Sequence, residues 1–138
     1  MSLMLSLVVG YGIGARSLAV PDEQVDLEFL LLLREPMNPP PGVVLPSAAD
    51  AVREYGEWAT QLARRGLLIS AEPLEDAGGV WLSGLGGAMS ATDPGNAPTI
   101  GGFFLIRADD VESALETARE SPHLKYGGTI ELRAVAEN

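Results

Sequence analysis

Apolar and polar positions follow two different periods along this chain, and the switches between them mark its elements. Leu27-Glu28-Phe29-Leu30-Leu31-Leu32-Leu33 is apolar but for one charge, and it is bounded by Asp26 and by Arg34-Glu35-Pro36. A run so short and so apolar predicts a buried central strand. Pro36, Pro39, Pro40, Pro41 and Pro46 crowd the next stretch, which excludes regular helix or sheet and predicts a loop. From Ser47 the period becomes helical. Ala48, Val52, Tyr55, Ala59, Leu62 and Ala63 recur at that spacing. Ser47 with Asp50 makes an N-terminal cap, and Gly66 behind Arg64-Arg65 a C-terminal stop. Residues 67–71 read as a second strand and residues 79–83 as a third, shorter one. Residues 83–99, rich in Gly, Ala, Ser, Asn and Pro, read as a loop or hairpin crown.

The last third of the chain is the most informative. Residues 100–106 read as a strand, residues 109–121 as an amphipathic helix and residues 129–135 as a final strand. Val111, Ala114, Leu115 and Ala118 form the helix's apolar stripe, Asp109 its N-cap with Glu112 in the first turn, and Pro122 its end. In the final strand Ile130 and Leu132 alternate with Glu131 and Arg133, so one face is buried. The order predicts an α+β domain, a ferredoxin-like antiparallel sheet with two helices on one face. The other face then needs cover. Trp81, Phe103 or Phe104, and the Leu31/Leu33 set would otherwise meet water, which a face-to-face homodimer prevents.

Composition narrows the function. The chain has 138 residues, enough for one domain with its own core, read as residues 26–138. Cysteine is absent, which excludes disulfides, thiolate metal sites and a cysteine nucleophile. One histidine and no cysteine leave few ligands for zinc, and neither metal nor cofactor is expected. The net charge of −10 repels phosphate backbones and anionic membranes, so nucleic acid is not an expected partner. Residues 1–25 form a separate apolar extension, read either as an ordered packing segment or as a signal remnant. It is too short and glycine-rich for a stable membrane span. The domain is expected in the cytoplasm, or exported if residues 1–25 are a signal remnant.

Chemistry centres on the sole histidine, His123, in Pro122-His123-Leu124-Lys125-Tyr126-Gly127-Gly128. Histidine changes charge near neutral pH, which suits a general acid or base. The competing reading is a loop histidine that caps helix carbonyls. Arg34, beside the proline loop, is a candidate to grip an anionic group. Arg133 on the last strand is another, although cross-strand pairing to Glu131 or Glu28 also accounts for it. Tyr55, Trp81 and Tyr126 could line an aromatic pocket, or serve as core. Two functional classes stay open: a small-molecule binding protein, and an enzyme using His123. A purely structural or interaction module is the third.

Four pieces carry a family resemblance: Gly101-Gly102-Phe103-Phe104-Leu105-Ile106; Asp109-Asp110-Val111 with Ala114-Leu115-Glu116-Thr117-Ala118; Ser121-Pro122-His123-Leu124; and Tyr126-Gly127-Gly128-Thr129-Ile130-Glu131-Leu132-Arg133. In their order and spacing the chain resembles the YCII-related (DGPF-domain) proteins of the dimeric α-β barrel class, over about residues 26–135. The resemblance implies a homodimer. It also implies a cleft between helices and sheet, bordered by the His123 turn. The binding reading puts a small molecule, anionic or aromatic, in that cleft. Relatives of this fold act on small aromatic or lactone substrates, so the enzyme alternative is a small organic acid or lactone. The Asp-Gly-Pro-Phe element is absent, with Thr92-Asp93-Pro94-Gly95 nearest to it. Where one branch of the family carries a proposed catalytic histidine early in the first helix, this chain has Tyr55.

Overall fold

A computed structural model describes residues 26–76, 79–84, 90–92 and 99–137. The expectations for residues 1–25 and for Asp93-Pro94-Gly95 lie outside the described residues. The elements run β1 (Leu27–Arg34), α1 (Ala48–Arg64), β2 (Leu68–Pro73), β3 (Trp81–Ser83), β4 (Ser90–Thr92), β5 (Ile100–Ala108), α2 (Val111–Arg119), α3 (Pro122–Lys125) and β6 (Thr129–Ala134). Four strands form one antiparallel sheet in the order β2-β5-β1-β6. Each crossover therefore skips a strand, β1-α1-β2 around β5 and β5-α2-β6 around β1. That interleaving is the ferredoxin-like arrangement. β3 and β4 form a separate two-stranded hairpin within the β2–β5 connection.

The caps are local and specific. The Ser47 hydroxyl accepts from the Asp50 N–H at 3.1 Å, as the sequence predicts for α1. At the other end Gly66, at φ +73°, donates to the Ala63 carbonyl, and Leu67 donates to the Leu62 carbonyl. This pair of bonds is a Schellman stop, and it needs the left-handed backbone that glycine supplies. The α2 cap is Asp110 rather than Asp109: its carboxylate accepts from the Ser113 N–H at 2.7 Å. Pro122 does more than end α2. With Ser121 as cap it opens the one-turn helix α3, where a missing N–H and a preset φ are no handicap.

The core lies between the helices and one face of the sheet. Phe29, Leu31 and Leu33 of β1 and Phe104, Ile106 and Ala108 of β5 meet Trp58 and Leu62 of α1 and Ala114 and Ala118 of α2. Both long helices thus cover the same face. The buried stripe of α1 is rotated from the expected one: Trp58 is in it and Val52 is exposed. Likewise Thr117 is buried in α2 and Val111 is exposed. The sheet faces are also exchanged relative to expectation. Leu31, Leu33 and Phe104 point into the core, and the alternate residues Leu30, Leu32, Phe103 and Leu105 occupy the face away from the helices. Leu30 stands opposite Leu105, and Leu32 opposite Phe103. Glu131 and Arg133 of β6 flank them on one side, Ser70 and Glu72 of β2 on the other.

Candidate functional site

Three segments meet at the C-terminal end of β1: Arg34 and Glu35 themselves, the middle of α1 at Tyr55, and residues 121–128. The geometry of the last is set by its own residues. The Ser121 hydroxyl accepts from the His123 N–H at 3.2 Å, and the single turn of α3 aims the imidazole inward, where His123 is 2% exposed. Gly127 lies at φ +83°, and the ring of Pro40 from the proline loop fills the place where a Cβ would stand. A Cβ on Gly128 would collide with the His123 imidazole. The Gly-Gly pair is therefore what lets the chain turn tightly under the ring and enter β6.

Both imidazole nitrogens are engaged. Nε2 lies 2.9 Å from the backbone carbonyl oxygen of Arg34, and Nδ1 lies 2.9 Å from the Tyr55 hydroxyl. A carbonyl can only accept, so Nε2 carries the hydrogen. In the neutral ring Nδ1 is then an acceptor, and the Tyr55 hydroxyl donates to it. The hydrogen bonds run in one direction, from Tyr55 to His123 to the β1 backbone. This link ties α1, α3 and β1 together across the top of the core.

Tyr55 is partly exposed, whereas the His123 ring it contacts is buried. Burial pushes its phenol up to about 12, with the Glu35 carboxylate next and then Tyr126 and Glu54 adding to the effect. Glu35 is held by its backbone, whose N–H donates to the Thr99 carbonyl at 2.8 Å, and its carboxylate lies over Gly101. One residue before Tyr55, Glu54 accepts from the Tyr126 hydroxyl at 2.7 Å and from the Lys125 ammonium at 2.9 Å. The bonds from Lys125 and Tyr126 hold the Glu54 carboxyl below the usual carboxylate range.

The sequence-derived candidates divide among three places. His123, Tyr55 and Tyr126 come together at the end of β1. Arg34 contributes its carbonyl there, but its guanidinium is paired with Glu131, Nη2 at 2.9 Å and Nε at 3.2 Å from the same oxygen. Arg34 thereby holds the Glu131 carboxyl below its usual range. Arg133 reaches the other Glu131 oxygen at 3.5 Å and is 67% exposed at its side chain. Trp81 lies on the β3–β4 hairpin, 57% exposed, and does not join the tyrosines. Trp58, buried against Phe104 at 4.3 Å between ring centroids, is core. His123 bonds a strand carbonyl rather than the helix carbonyls expected of a capping histidine. Among the described residues no three His, Asp or Glu side chains converge as a metal ion requires.

Sequence reasoning singled out His123 and Tyr55 separately and missed their contact, which joins residues 68 positions apart. It also passed over Glu35, which carries no motif.

No curated protein matches this chain. The family model of the YCII-related domain matches residues 37–138, which takes in Tyr55 and the whole of the His123 turn and leaves β1 outside. That match spans well over half of the sequence, and the chain belongs to the YCII-related domain family.

Proposed function

We propose that this domain binds a small molecule at the end of β1, with the Tyr55 hydroxyl as its central polar contact. The observation that supports it is the order of the groups. The imidazole is buried with both nitrogens committed, and Tyr55, whose phenol it orients, is partly exposed. A ligand arriving there meets Tyr55 first and His123 only through it. Tyr126 and the proline loop, through Pro40 against Gly127, supply the neighbouring walls. Arg34 and Arg133, on the far side of the sheet with Glu131, serve a second role. With the apolar centre Leu30, Leu32, Phe103 and Leu105 they form the face on which two copies pair, an apolar patch framed by charge.

The Tyr55–His123 contact also favours an enzyme reading. A substrate proton taken by the phenol oxygen can be matched by transfer of the phenol's own proton to Nδ1, which makes His123 a base acting through Tyr55. Thermal denaturation against a library of small molecules tests the binding reading. Ligands that stabilise the wild type are expected to lose that effect in Tyr55→Phe; at 100 times its dissociation constant a ligand contributes about 2.7 kcal/mol. Stabilisation undiminished by Tyr55→Phe places the ligand elsewhere. Turnover that His123→Ala abolishes, with binding retained, selects the enzyme.

A further inference from the structure

Resting on that reading, we infer that the ligand presents a hydrogen-bond donor to the site, an amine or hydroxyl group, and is not a carboxylate. The argument is the direction of the hydrogen bonds. The Arg34 carbonyl fixes a hydrogen of His123 on Nε2, so in the neutral ring Nδ1 accepts and the single Tyr55 hydrogen is committed inward. Only the lone pairs of the Tyr55 oxygen remain for an incoming group. Tyr126 repeats the pattern, since its hydrogen goes to Glu54 and its oxygen also offers only lone pairs outward. The Glu35 carboxylate, which lies over Gly101, adds a negative charge whose field reaches the Tyr55 phenol. Lys125, the cation near Tyr126, gives one of its three hydrogens to Glu54, and that pairing offsets its charge. Two phenol oxygens and a carboxylate, all accepting, match an ammonium or an alcohol. An incoming carboxylate would find no free donor on Tyr55 or Tyr126, and the Glu35 charge would repel it.

Three probes with one skeleton separate the cases: benzylamine, benzyl alcohol and benzoate, each titrated into the full chain. The readout is the NMR signals of the His123 and Tyr55 rings. Saturable shifts with benzylamine and benzyl alcohol, and at least about tenfold weaker binding of benzoate, are the expected result. Tyr55→Phe should weaken benzylamine by about tenfold while the chain stays folded. Glu35→Gln should weaken benzylamine and leave benzyl alcohol nearly unchanged. Benzoate binding as tightly as benzylamine overturns the donor inference while leaving the site in place. If none of the three moves these signals, the binding site itself is refuted and the inference with it.

Discussion

The Tyr55 hydroxyl donates to Nδ1 of His123 across 2.9 Å, and the opposite ring nitrogen is anchored on the Arg34 carbonyl. Removing the phenol oxygen leaves a buried acceptor unpaired. Tyr55→Phe is therefore expected to lower stability by about 1–3 kcal/mol in urea denaturation at neutral pH. A variant as stable as wild type would mean that the bond contributes nothing net.

Gly128 sits against the imidazole with no room for a methyl group. Gly128→Ala is expected to destabilise by about 1–3 kcal/mol through overpacking. In a His123→Ala background the obstruction is gone, and most of that cost should vanish. The double-mutant cycle measures it directly, and additive effects would show that the ring is not what excludes the side chain.

Alkali weakens the same site. The Tyr55 phenol ionises at 10.0 in the reference state and at about 12 in the folded chain. Between those values the folded chain keeps a proton that the unfolded chain has lost. The resulting stabilisation is complete below pH 10 and is lost as pH rises to about 12. The stability difference between wild type and Tyr55→Phe should shrink across that window. A difference that stays constant to pH 12 would contradict the raised value.

On the acid side the sign is reversed. Glu131 and Glu54 are held below the carboxylate value of 4.5, Glu131 chiefly by Arg34 and Glu54 chiefly by Lys125. Their contribution is present above pH 4.5 and is lost as pH falls through the depressed values. Arg34→Gln should bring the Glu131 carboxyl back up toward 4.5 in an NMR titration. An unmoved Glu131 would show that the salt bridge does not form in solution.

The face away from the helices gives a test of the proposed pairing. Leu32 stands between Phe103 and Glu131 near its centre. Leu32→Lys is expected to convert a dimer to a folded monomer in sedimentation experiments, with the helical signal unchanged. A wild-type chain that sediments as a monomer would remove the interface.

Much of the fold was legible because its elements carry local signals. Ser47 and Gly66 bound α1, the apolar run 27–33 reads as a strand, and the order of elements implies the interleaved sheet. What escaped was parity and partnership. Leu30 to Leu33 are four identical side chains, so no alternation shows which pair enters the core. Asp109 and Asp110 are equally good caps, and only the chain path selects the second. Ser121-Pro122 suits both the end of one helix and the start of another. The contact of Tyr55 with His123 is set by how α1 and α3 pack beside β1, and no local pattern encodes it.

The direct test is a long-range proton–nitrogen NMR spectrum of the one imidazole in the chain, recorded at neutral pH and in Tyr55→Phe. The account requires the Nε2–H tautomer, a slowly exchanging Nε2 proton, and an Nδ1 resonance that moves when the phenol oxygen is removed. An Nδ1–H tautomer, or an Nδ1 signal indifferent to Tyr55→Phe, would contradict it.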